Sequence, residues 1–94
     1  MTCEAATLRD MQDFMGVLTR PEPGERMKAA EARVARLLGW NPFRVRDYRL
    51  GRARAVPAHE YLAARQLAAE LDRARLNRLE AELAALRARL GDAA

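Results

Sequence analysis

Leu37-Leu38-Gly39-Trp40-Asn41-Pro42-Phe43-Arg44-Val45-Arg46-Asp47-Tyr48-Arg49-Leu50-Gly51 decides the reading of this chain. The segment closes one helix, makes a tight turn, opens a short second helix and stops it on glycine. Gly39 suits a helix C-terminus because it adopts the left-handed conformation without a Cβ penalty. Asn41 suits the next N-cap, where its side-chain oxygen takes an orphan N–H. Pro42 then falls at the first helical position, where a missing N–H costs nothing. Val45 and Tyr48 are three apart and face inward. Gly51 closes the short helix, which spans about 42–50, and Arg52 to Pro57 forms a basic connector.

Charge concentrates on this stretch. Residues 33–54 carry seven arginines against Asp47 alone, whereas residues 1–32 are net acidic and residues 55–94 are balanced. A basic block of this kind is an electrostatic footprint for an acidic partner, with nucleic acid the usual one.

Two helices are expected upstream. Leu8, Met11, Met15 and Leu18 recur at helical spacing, with Phe14 and Val17 beside them. Thr7 and Asp10 resemble a capping box, so this helix is placed at about 8–19, with Asp10 and Asp13 read as a cap and a solvated face. Arg20-Pro21-Glu22-Pro23-Gly24 breaks the pattern. The next helix runs from about Glu25 to Leu38, with Met27, Ala30, Val34, Leu37 and Leu38 as its apolar stripe.

The segment from 25 to 57 resembles the helix-turn-helix of the lambda-repressor-like (Cro/Xre-type) DNA-binding family. Ala35 stands where that family has a small residue at the helix crossing. Gly39 takes the turn position, Trp40 the apolar position after it, Val45 and Tyr48 the buried positions of the recognition helix, and Gly51 the closing glycine. The resemblance implies a recognition helix in the major groove of double-stranded DNA. Phe43, Arg44, Arg46 and Asp47 would then lie near the bases. Asn41, Arg49, Arg52 and Arg54 would lie near phosphates, which position the protein without reading sequence. Pro42 and Phe43 depart from the family's polar pattern. A long terminal helix also replaces the later family helices, making this a reduced variant.

From Ala58 there is no proline or glycine until Gly91. A helix over this stretch is roughly 50 Å long, too long for a body of this size to cover. Its first turns, including Tyr61 and Leu62, are expected on the core. Further along, Leu76, Leu79, Leu83, Leu86 and Leu90 repeat with alternating steps of three and four, an a/d seam. In a parallel pair Arg75 meets Glu80 and Glu82 meets Arg87 across chains; antiparallel pairing stays open. Neither glutamate has a basic residue three or four positions later in its own helix. The seam therefore suggests a homodimer, or a protein partner on the same face.

Cys3 and His59 are the only residues of their kinds. No disulfide within the chain is possible, Cys3 is expected to have no core role, and neither metal site nor cofactor is expected. No paired carboxylates, nucleophile–base pair or glycine-rich phosphate loop points to an enzyme. No stretch resembles a secretion signal or a membrane span, so the expected location is the cytoplasm of a bacterium or the host of a phage.

The reading is an all-α chain. Residues 1–57 form a helix-turn-helix domain and 58–94 a long helix with a coiled-coil segment at about 72–90. Its expected role is a sequence-specific, homodimeric transcriptional regulator. The alternative is a helical adaptor that uses the coiled coil for a protein partner and the basic segment for an acidic surface.

Overall fold

The computed structural model describes residues 3–93 and the side chains of residues 6–91. It contains four helices, α1 (Cys3–Leu18), α2 (Met27–Leu38), α3 (Pro42–Arg49) and α4 (Ala58–Ala93). There is no strand among the described residues. No helix among them is long and apolar enough to cross a membrane.

The first helix begins earlier than its capping signal suggests. Ala5 and Ala6 are strong helix formers, and α1 runs through Thr7 from Cys3, so Thr7 does not cap it. The expected absence of a core role for Cys3 concerns a side chain outside those described. Met11, Met15 and Leu18 are buried on one face. Thr19 satisfies the helix end, its hydroxyl donating to the Met15 carbonyl.

α1 packs against both α3 and α4, and α2 packs against α3. Their shared core contains Met11, Met15, Leu18, Val34, Ala35, Val45, Tyr48, Ala64 and Ala68, ringed by Phe14, Leu38, Trp40, Tyr61 and Leu67. Ala64 and Ala68 present little side chain, which lets α4 lie close on α1. Phe14 meets Tyr61 with ring centroids 5.7 Å apart. The Tyr61 hydroxyl donates to Asp10 Oδ2 at 3.1 Å, which pushes the Tyr61 pKa up. Asp10 therefore docks α4 rather than capping α1.

Two expected core leucines face out. Leu37 is 63% exposed and Leu62 58% exposed. At 100° per residue, Leu37 lies beyond the edge of the stripe formed by Met27, Ala30, Val34 and Leu38. Leu62 lies about 100–160° around the helix from Tyr61, Ala64 and Ala68. Glu31 occupies the α2 stripe instead and is buried.

Ala68 is the last buried residue of α4, and every residue from 69 to 91 is exposed. About 35 Å of helix therefore follows with no buried residue. Gly91 does not end α4, which continues through it to Ala93. A cleft of about 680 Å³ separates Leu71–Glu82 of this extension from the α1–α2 connector at Arg20–Pro23.

Candidate nucleic-acid interface

The α2–α3 turn is built from its own backbone. Gly39 adopts φ 75°, and its N–H donates to the Ala35 carbonyl. The Trp40 N–H reaches the same oxygen at 2.8 Å. Asn41 Oδ1 accepts from the Phe43 N–H at 2.9 Å, with Pro42 starting α3 beside it. At the other end Gly51 adopts φ 71°, and the Arg52 N–H returns to the Asp47 carbonyl at 2.8 Å. A Cβ on Gly51 would sit 3.2 Å from the Gln12 side chain, which donates to the Arg49 carbonyl. Both ends of α3 are thus held by short-range bonds.

The rear of α3 is Val45 and Tyr48, both buried. Trp40 packs at 5.8 Å from the Tyr48 ring. The opposite face consists of Phe43, Arg46, Asp47 and Leu50, spaced i, i+3, i+4 and i+7. Phe43 is 68% exposed and Leu50 38% exposed. Arg46 lies over the Phe43 ring, 5.7 Å from its centroid.

The arginines of this segment divide by partner. Arg44 turns its fork back to α4. Its Nε and Nη2 donate to Glu60 Oε1 at 2.9 and 2.7 Å, and Nη2 also donates to the Tyr48 hydroxyl at 2.9 Å. The guanidinium stacks over the Tyr48 ring, and the Tyr48 hydroxyl donates to the same Glu60 oxygen. Burial and Glu60 push the Tyr48 hydroxyl upward, despite Arg44. Burial also raises Glu60, but the bonds from Arg44 and Tyr48 outweigh it, so Glu60 ends below the usual carboxylate range. Arg44 was expected at the bases; its paired nitrogens are occupied on the other side of α3.

Glu31 organises a second cluster. One carboxylate oxygen accepts from Arg46 Nε at 3.1 Å. The other accepts from Arg49 Nε at 2.8 Å and lies 2.7 Å from Arg49 Nη2. Among the described residues the terminal nitrogens of Arg46 make no further hydrogen bond, so they remain presentable on the outer face. Arg49, expected at a phosphate, is instead three-quarters covered against Glu31.

Arg33 forms a third group, its Nη2 3.0 Å from Glu25 Oε1 and its Nε 3.4 Å from Glu22 Oε1. The Arg33 hydrogen bond holds Glu25 below its ordinary pKa.

Folding therefore brings Glu22, Glu25, Glu31 and Glu60 onto a block that carries six surplus positive charges in sequence, leaving two. Arg52 and Arg54 are exposed and form no ion pair among the described residues. Asn41 spends its oxygen on the cap and keeps its amide donors. The expected pairing leucines, Leu76, Leu79, Leu83, Leu86 and Leu90, all lie on the exposed extension, 44–63% accessible and far along the chain from α3.

The sequence reading missed Glu31 and Glu60. Glu31 had a readable signal, because it stands four residues from both Met27 and Ala35 on the apolar stripe. Glu60 had none, since its role depends on where α4 crosses α3. No family model, curated protein or solved structure matches the chain.

Proposed function

We propose that this chain is a sequence-specific DNA-binding regulator that acts as a homodimer and lays α3 in the major groove. The observation that carries this reading is Arg46. It stands on the outer face of a helix locked from behind, and it is fixed between buried Glu31 and the Phe43 ring with its outer nitrogens unused. A preorganised arginine of this kind is suited to guanine O6 and N7.

Phe43 supplies apolar contact to a thymine methyl, and Asp47 accepts from a cytosine amino group. Arg52 and Arg54, with the amide of Asn41, serve phosphates. Arg44 and Arg49 act here as orienting residues: Arg44 ties α3 to α4, and Arg49 completes the Glu31 cluster. Two copies then present two α3 helices to a site with two half-sites.

Selection from a random-sequence duplex pool, followed by mobility-shift titration, tests this. Arg46→Ala should cost about 1–3 kcal/mol on the selected site and relax the preference at one position. Arg52→Ala with Arg54→Ala should weaken all sequences alike and reduce the salt slope by about 2. Absence of duplex binding at low salt refutes the reading.

One observation favours the alternative of a helical adaptor. The outer face of α3 is electrically balanced and carries two exposed large apolar side chains, Phe43 and Leu50. On that reading Phe43→Ala abolishes binding of a protein partner and no duplex is bound.

A further inference from the structure

The leucine seam of α4 and the charges beside it have no partner in their own chain. All five leucines are exposed, and the charged residues from Arg73 to Arg89 form no ion pair among the described residues. We propose that this seam pairs antiparallel with a second copy in a single register, Leu83 against Leu86 and Leu79 against Leu90 of the second copy. The proposal deepens the homodimer reading above and rests on it.

Parallel pairing places each core position against itself. Counting back from Leu79 by heptads, the two preceding d positions are Asp72 and Arg65. A parallel pair would thus set Asp72 on Asp72 in the contact stripe, four residues before Leu76, whereas Arg65 lies where α4 still packs on the body. Like charges facing each other oppose such an arrangement.

Antiparallel pairing sets a against d, with e facing e and g facing g. It offers two leucine registers, and the charges separate them. Setting Leu76 against Leu86 and Leu79 against Leu83 places Glu80 on Glu80, Glu82 on Glu82 and Arg75 on Arg89. Every one of these is repulsive. Setting Leu79 against Leu90 and Leu83 against Leu86 places Glu80 on Arg87 and Glu82 on Arg89. The two-fold axis repeats each pair, so all four are attractive. Asp72 then lies outside the paired stretch. Parallel pairing also has complementary flanks, Arg75 with Glu80 and Glu82 with Arg87, but only this register combines such flanks and leucine-on-leucine layers with no like charge in the contact stripe. The cleft beside Leu71, Arg75, Leu79 and Glu82 leaves room for the last turns of the second copy.

The arrangement puts the two bodies at opposite ends of the helix pair. Residue 64 of one copy and residue 64 of the other then stand ~60 Å apart along its axis at 1.5 Å per residue. That is nearer two turns of B-DNA than one, at ~34 Å per turn.

Cross-linking of the full chain tests the register. Cys3→Ser first removes the native thiol. In that background Leu79→Cys and Leu90→Cys chains, one enlarged by a tag, are mixed and oxidised. A disulfide between unlike chains is expected, and Leu76→Cys alone should give none. A Leu76→Cys homodimer disulfide overturns the antiparallel register while leaving the homodimer intact.

Sedimentation equilibrium supplies a readout that needs no cysteine. Glu82→Arg should weaken dimerisation about tenfold, and adding Arg89→Glu should restore it. Failure of Arg89→Glu to restore it overturns the register, because only antiparallel pairing joins these two positions. A monomer at all accessible concentrations overturns the register and the homodimer together. DNA binding by that monomer would still leave the α3 assignment standing.

Discussion

Replacing Glu31 by Gln tests the structural basis of the proposed reading helix. Glu31 is 1% exposed, and its carboxylate takes Arg46 Nε at 3.1 Å and Arg49 Nε at 2.8 Å. Hydrogen bonds to a charged group contribute about 1.5–3 kcal/mol each. Removing one member of a fully buried ion cluster costs about 3–5 kcal/mol. Here the arginine side chains are 34% and 24% exposed, so water recovers part of what they lose. Gln keeps one acceptor for one arginine and turns an amide N–H₂ toward the other. The expected destabilisation is about 2–3 kcal/mol, which lowers Tm by about 10–20 °C for a domain of this size. Thermal unfolding followed by circular dichroism at 222 nm measures it.

A double-mutant cycle with Arg46→Gln and with Arg49→Gln should return coupling of about 1–2 kcal/mol in each case. A Tm change under about 2 °C, outside the shift expected from 0.5 kcal/mol, would show that the arginines swing into water at no cost. The cluster would then hold nothing in place. The same variant should bind DNA with a lower ratio of specific to non-specific affinity, because Arg46 loses its anchor while the surface gains positive charge.

Acid stability follows from Glu60. Its carboxyl titrates below the usual range in the folded chain, so it stabilises fully above the unfolded value of about 4.3 and loses that contribution as pH falls through the folded value. Urea midpoints should drop more steeply below pH 5 in the native chain than in Glu60→Gln, and equal slopes would contradict the assignment. Gly39→Ala forces a Cβ into the left-handed region and should cost about 1–2 kcal/mol in chemical denaturation, whereas Gly39→Asn should cost less. Asn41→Ala removes the α3 cap and should cost about 1 kcal/mol; an unchanged urea midpoint would contradict the role of Oδ1.

The helices and the turn were legible in the sequence because their signals are local. Gly39, Asn41, Pro42 and Gly51 each set backbone geometry within a few residues, and the Met11, Met15 and Leu18 stripe needs only helical periodicity. The start of α1 was missed because Thr7 offers a cap while Ala5 and Ala6 carry the helix past it. The candidate site was legible as a location but not as a set of pairings. The sequence places Arg44, Arg46 and Arg49 on one short helix, and their sign alone suggests a common partner. Their directions differ because 100° per residue turns Arg44 and Arg46 to opposite flanks of α3. Which flank meets an acid depends on Glu60 and Glu31, from two other helices. An apolar stripe interrupted by a glutamate, as in α2, was the one local hint.

Those ion pairs bear on how the proposed dimerisation and the proposed DNA reading would be connected. Glu60 lies in the first turn of α4, and it holds both Arg44 and Tyr48 of α3. Tyr48 is also the buried rear of the outer face that carries Arg46. The direction of α4 and the setting of α3 therefore share one cluster, reinforced at Tyr61 by Asp10 and Phe14. The proposed helix pair, by fixing α4 at its far end, would fix α3 through this joint. Loosening the joint by Glu60→Gln should then leave dimerisation in place and reduce the advantage of a two-half-site duplex over a single half-site. An undiminished advantage would show that the two α3 helices are positioned by something other than the Glu60 cluster.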